Sequence, residues 1–288
     1  MNLVSKKAVK NLLLKYEIRP LKRFGQNFLI DRSILKKIIT AANLQTKDIV
    51  LEIGPGIGSL TQELAKGAKR VIAVEKDSKM IKILKETAGN LKNVKVIKGD
   101  ILKLNFQFPK NYKLVANLPY YIVSPVIRKF LESKNPPASM ILMVQKEVAQ
   151  RICAKPTRGR SPSAKHLAWR PKMSILAVSV QFYAKPEIIS FVSKKSFWPQ
   201  PKVDGAIIKL EVKRQKIKVD NNLFFRIVKA GFSQPRKQLI NNLSKKLKID
   251  RLRIKNWLLK NKIQPTQRAE TLNIKNWINL AKSYQADC

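Results

Sequence analysis

Asn117-Leu118-Pro119-Tyr120 sets an amide, a turn-forming proline and an aromatic ring directly behind a short apolar run. The exocyclic amine of a base such as adenine is a poor nucleophile, because its lone pair is delocalised into the ring. Methylating it requires acceptors that favour a pyramidal nitrogen and hold it in line with the donor. The Asn117 side-chain oxygen and the Leu118 carbonyl can accept in that way. Pro119 fixes the turn and brings no competing N–H. Tyr120 can stack on a base drawn out of its helix. Alone, the tetrapeptide reads better as an Asx-type turn followed by a core tyrosine, so its weight depends on what precedes it.

Three features precede it. Leu51-Glu52-Ile53-Gly54-Pro55-Gly56-Ile57-Gly58 follows an apolar run, and its glycines let backbone approach a ligand closely. Its G-x-G-x-G spacing differs from the G-x-G-x-x-G of dinucleotide enzymes and suits a nucleoside without a pyrophosphate. Glu75 comes 21 residues after Gly54, at the end of a second strand-like run, where a carboxylate can accept from ribose hydroxyls. Asp100, in Lys98-Gly99-Asp100-Ile101, ends a third run and can accept from an exocyclic amine. Each has a plain alternative: a connecting turn, or an N-cap aspartate. At the ends of three successive strands they favour a ligand site.

The strand-like runs are Ile49–Ile53, Arg70–Glu75, Val94–Gly99, Lys113–Leu118 and Ser139–Val144. Helix-like segments follow at Ser59–Lys66, Ser78–Ala88, Pro125–Glu132 and Lys146–Ala154. That alternation predicts βαβ units and a parallel sheet covered on both faces. Ile175–Ala184 and Val203–Val212 read as two further strands forming an antiparallel edge, with Pro186, Pro199 and Pro201 between them. Beyond about Lys213 the pattern is helical. The expected domains are therefore 1–212 and a small helical 213–288. Thr157–Arg170 is polar, basic and aperiodic, and reads as a long loop, functional or disordered.

Composition narrows the partners. The 288 residues carry 59 Lys and Arg against 18 Asp and Glu, a formal charge of +41 spread through the chain, which points to a polyanion. A basic proteome or a membrane surface ranks below nucleic acid. Cys153 and Cys288 lie far apart, and His166 is the one histidine, so no metal-type spacing exists and no metal is expected. No apolar run reaches the ~20 residues of a membrane span. Met1–Tyr16 reads as an amphipathic helix in preference to a transit peptide. A cytoplasmic monomer is the expectation.

In this context the chain resembles the ribosomal small-subunit RNA adenine N6,N6-dimethyltransferases. The resemblance rests on Arg23-Phe24-Gly25-Gln26-Asn27-Phe28-Leu29, EIGPGIG, Val74-Glu75, Gly99-Asp100, NLPY and Gln145-Lys146-Glu147-Val148-Ala149-Gln150-Arg151. It continues through Val180-Gln181-Phe182-Tyr183, Phe197-Trp198-Pro199-Gln200-Pro201-Lys202-Val203-Asp204, Phe232 to Lys237, Asn241-Asn242-Leu243 and Arg268 to Leu272, and so covers nearly the whole chain. It implies an α/β, Rossmann-like class I methyltransferase fold, with a mostly parallel seven-stranded sheet and an all-helical C-terminal domain. It implies S-adenosyl-L-methionine as methyl donor. With the motif reading, it assigns cofactor contacts to Asn27, Leu29, Gly54, Gly56, Glu75, Asp100, Ile101 and Asn117. Catalytic roles fall to Asn117, Leu118, Pro119 and Tyr120, with Phe197 as a second stacking wall for the adenine. The implied substrate is a pair of adjacent adenosines in a hairpin loop near the 3′ end of small-subunit rRNA, met in an immature small subunit. Loop bases cost little to splay out.

Two departures stand out. Thr157–Arg170 looks like an insertion whose Arg158, Arg160, Lys165 and Arg170 can meet phosphates. The family's Arg-Arg-Lys reads Pro235-Arg236-Lys237. Alternatives are a large-subunit rRNA methyltransferase of the antibiotic-resistance type and a non-catalytic ribosome-assembly factor. A nicotinamide oxidoreductase is disfavoured by the glycine spacing.

Overall fold

The computed structural model describes residues 3–21, 25–156, 171–213 and 218–287, with side chains given to 284. The expected loop at 157–170, and Arg23-Phe24, lie outside the described residues.

The chain opens with α1 (Lys6–Lys15), which buries Val9, Leu12 and Leu13. Then come β1 (Phe28–Leu29), α2 (Arg32–Ala42), β2 (Ile49–Ile53), α3 (Ser59–Gly67), β3 (Arg70–Glu75), α4 (Ser78–Ala88) and β4 (Val94–Lys98). After them follow β5 (Lys113–Asn117), α5 (Val123–Leu131), β6 (Ser139–Gln145) and α6 (Lys146–Ile152). Short polar residues start several of the helices. Asp31 accepts from Ser33 N and Ile34 N at the head of α2, and Asp77 from Lys79 N at the head of α4. The central strands are apolar throughout because both faces are covered: Val50, Leu51, Val71, Ile72, Leu114 and Val115 are all buried.

Ile175–Ala184, expected as a strand, is not one. Ile175–Tyr183 forms helix α7, and the strand β7 is Ala184–Val192. The run ILAVSVQFY is apolar nearly all round, so a buried helix and a buried strand look alike in it. Its Ala177, Val178 and Phe182 enter a core with Phe224, Ile227, Leu243 and Trp277. Pro186 stands inside β7, which tolerates it because β7 is the edge of the sheet. The short β8 (Phe197–Trp198) pairs with β1, and β9 (Gly205–Val212) lies between β6 and β7, antiparallel to both. The expected antiparallel edge exists, built from a later segment. The seven-stranded order is β4-β3-β2-β5-β6-β9-β7, parallel from β4 through β6.

The rest of the chain is helical: α8 (Asn221–Gly231), α9 (Leu239–Leu247), α10 (Arg251–Lys260) and α11 (Ile274–Asp287). Two compact units result. Residues 1–149 and 184–214 form the sheet unit; 150–183 and 215–288 form the helical unit. The segment 150–183 thus sits with the helices, where a boundary at 212 would leave it with the sheet. The apolar α7 is the reason, since its side chains help fill the helical core.

Candidate active site

A cavity opens at the carboxyl edge of β2, β3 and β5, where parallel sheets hold ligands. Its floor is the turn after β2. Gly54, Gly56 and Gly58 there all have positive φ. At Gly56 (φ +58°) a Cβ would lie 3.4 Å from the Phe28 ring, so a side chain would be strained and would crowd the cavity wall.

Glu75 closes one side. It is buried, its Oε2 accepts from Gly56 N at 3.1 Å and its Oε1 from Asp77 N at 2.8 Å. Burial pushes its carboxyl above the usual range, although those N–H groups oppose the rise. Asp100 behaves oppositely. Burial pushes it up, but Lys76 Nζ at 3.0 Å and the Leu102 N–H outweigh that and hold it below the usual range. Both carboxylates keep lone pairs that can accept further hydrogen bonds.

Asn117 ends β5 at the same cavity. Its Nδ2 donates to the Asn27 carbonyl at 3.2 Å, so its Oδ1 stands as the acceptor. Asn27 in turn donates from Nδ2 to the Gly25 carbonyl at 3.1 Å. Gly25 is packed hard on Pro119 of the NLPY turn: a Cβ there would fall 2.9 Å from Pro119 Cβ. The segment before β1 therefore orients the amide and braces the proline. A cleft with hydroxyl and amine acceptors at its sides and a fixed amide oxygen at its end fits an adenosyl cofactor and an incoming base.

Residues 19–286 match the family described as Ribosomal RNA adenine dimethylase. The chain belongs to that family. The Ribosomal RNA small subunit methyltransferase A of Alkaliphilus oremlandii (strain OhILAs) is 42% identical over 289 residues, covering 97% of this chain and 96% of that protein. A dimethyladenosine transferase from Plasmodium falciparum superposes with a TM-score of 0.74 at 30% identity, covering 90% of this chain and 98% of that one. The 23S rRNA methyltransferase ErmE superposes at 0.70 with 25% identity, covering 89% and 98%. The fold of this dimethylase is the Rossmann-like class I methyltransferase fold joined to a helical unit.

Of the residues read from the dimethylase sequence, Asn27, Leu29, Gly54, Gly56, Glu75, Asp100, Ile101, Asn117 and Pro119 all line the cavity. Leu118, Tyr120 and Phe197 do not. Leu118 turns its side chain into the core. Tyr120 is half-buried beside the cavity, in the one-turn helix Tyr120–Ile122. Its phenol is pushed up by burial and then by the Asp204 charge. Phe197 is 3% exposed and lies in a core cluster with Leu29, Met143 and Ile207, so in this conformation it offers no wall to a base.

Sequence reasoning missed several lining residues. Gln26 donates to Asp77 Oδ2 at 2.8 Å and accepts from Leu21 N at 2.8 Å, knitting the first segment to the start of α4. Lys76 and Tyr121 line the Asp100 side. Glu52, on β2, also borders the cavity and is 1% exposed. Gln26 stands inside a quoted motif, the one signal that could have found it; Glu52 is legible as the acid at the end of the strand before the glycine turn, though with no role of its own. Tyr121 carries no signal.

Proposed function

We propose that this protein transfers methyl groups from S-adenosyl-L-methionine to N6 of two adjacent adenosines near the 3′ end of small-subunit rRNA, dimethylating each. The reading is carried by the Asn117 amide, held by the Asn27 carbonyl so that Oδ1 serves the cavity bordered by Glu75 and Asp100. Glu75 would take the ribose hydroxyls and Asp100 the exocyclic amine of the cofactor. When bound, the cofactor supplies an electrophilic methyl on a positive sulfur. Asn117 Oδ1 and the Leu118 carbonyl accept the two N–H groups of the target amine. That draws its lone pair out of conjugation while the nitrogen takes the methyl and the bond from methyl to sulfur breaks; one N–H proton then passes to solvent, and the remaining N–H is held for the second transfer. Pro119, braced by Gly25, keeps the carbonyl in place, and Tyr120 supports the extruded ring. The basic helical unit, with the remaining surface lysines, supplies sequence-independent phosphate contacts. An immature small subunit is the proposed partner, met in the cytoplasm. Among the described residues no helix is long and apolar enough to cross a membrane.

The likeness to ErmE keeps large-subunit rRNA as the second reading. Incubating small- and large-subunit particles with labelled methyl donor separates the two. Label in adjacent small-subunit adenosines is expected, and label confined to large-subunit RNA refutes the proposal. In the same assay Asn117→Ala should lower kcat by about a hundredfold or more. Its RNA Kd should stay within about twofold, since phosphate contacts dominate affinity. An equal loss of both would contradict the division of labour.

A further inference from the structure

The carboxyl edge of the sheet continues beyond the cavity. Register pairs Asn117 with Met143, Val144 with Ala206, and Ala206 with Phe191. β7 therefore runs parallel to β6 and ends on the same edge. Phe191 stands one row beyond Asn117, three strand spacings away, roughly 14 Å across the sheet.

Phe191 is 51% exposed, although a ring of that size normally fills a core. Lys146 Nζ lies over it, 5.3 Å from the centroid. Val203, 44% exposed, belongs to the connection that leads into β9, flanked by exposed Lys202. Asp204 ties the ground beneath together. Its carbonyl accepts from Lys146 N at 3.0 Å and its Oδ1 from Lys194 N at 3.0 Å. The Asp204 charge also raises the Tyr120 phenol, so this patch lies within electrostatic reach of the NLPY turn.

We propose that Phe191 and Lys146 form a stacking platform for an unpaired nucleotide that flanks the target adenosine. The proposal rests on the function argued above and adds where the neighbouring strand runs. An exposed ring among lysines suits a base over its phosphate, because every base has a π-face and each phosphate draws a cation. Lys146 lies over the ring, Lys194 and Lys195 follow it within four residues, Lys202 stands two before Asp204, and the Asp204 carboxylate already accepts from Lys194 N. A charge of +41 favours the same occupant. A span of roughly 14 Å is within reach of a short stretch of single strand, so target and platform can be engaged by one loop.

The test uses the full-length protein and a protein-free RNA hairpin whose loop carries two adjacent adenosines. 2-Aminopurine is placed at successive flanking positions. Wild type should quench one of these, and Phe191→Ala should lose that quench while Phe191→Trp keeps it. The Kd of Phe191→Ala should rise about fivefold or more, the fold-change that matches ~1 kcal/mol for one stacked base. Its salt slope should match wild type, whereas Lys146→Met should flatten the slope by about 0.7. The proposal is overturned if Phe191→Ala binds within about twofold with every quench intact. It is overturned too if the variant is impaired on ribosomal particles but not on RNA, which would make Phe191 a protein contact. The two readings fail separately. Wild type that stacks the flanking base but moves no methyl to small-subunit particles defeats the activity. Wild type that methylates, beside an unimpaired Phe191→Ala, defeats the platform alone.

Discussion

Replacing Glu52 by glutamine removes a carboxyl that the folded sheet keeps protonated, at a cost that grows with pH. Glu52 lies on β2 with 1% exposure, and its Oε2 has no hydrogen-bond partner among the described residues. Burial pushes its carboxyl from the ordinary 4.5 up to about 8, with the Thr61 hydroxyl opposing and the Glu75 charge adding. A carboxyl raised in the folded state binds its proton more tightly there than in the unfolded chain. Wild-type stability should therefore be unaffected by this group below pH 4.5 and fall steadily from there to about pH 8. At about 1.4 kcal/mol per pH unit, the accumulated cost is about 3 kcal/mol at pH 7 and about 5 kcal/mol above pH 8. Glu52→Gln mimics the protonated side chain and abolishes this cost. Glu75 remains in both proteins, so comparing the two isolates Glu52. Two units need not unfold together, so hydrogen exchange at the Val50 and Leu51 amides, corrected for intrinsic rates, is the suitable readout. The variant should match wild type near pH 4.5 and gain on it progressively up to pH 8. A difference that stays constant across that range would refute the reasoning.

Two further outcomes follow from the geometry. Gly58 has φ +87°, and an added Cβ would fall 2.8 Å from Thr87 Oγ1 and 3.2 Å from a Leu84 methyl. Gly58→Ala should cost at least about 1–2 kcal/mol from the left-handed backbone alone and should weaken cofactor binding, read by denaturation midpoint and calorimetry; an unchanged midpoint would contradict it. On α10, Arg253 and Lys255 are exposed. Arg253→Met with Lys255→Met should weaken RNA binding uniformly across sequences and flatten its salt slope by about 1 for each phosphate left without its cation; a slope identical to wild type would show that this face meets no phosphate.

Much of the fold was legible because the relevant signals are local. The parallel strands are short runs, and β2, β3, β5 and β6 each lead into a helix within a few residues, while β4 leads through a loop to β5. Strand ends mark one edge of a parallel sheet, so Gly54, Glu75, Asp100 and Asn117 could be placed on a common edge from spacing alone, and all four line one cavity. α7 was illegible for the opposite reason: an apolar run has no period to read, and the helical core that claims it is built from residues distant in the chain.

What the sequence determined by itself is the order of the elements, the edge on which the ligand groups stand, the surplus of positive charge and the family. Tertiary structure decided which of those groups touch. Asn117 takes its orientation from the carbonyl of Asn27, 90 residues earlier, and Pro119 is braced by Gly25. Phe197 sinks into the core while Phe191, six residues before it, stays in solvent. Strand periodicity is a property of the local backbone, but neighbours across strands are chosen by burial and register, which no single segment encodes.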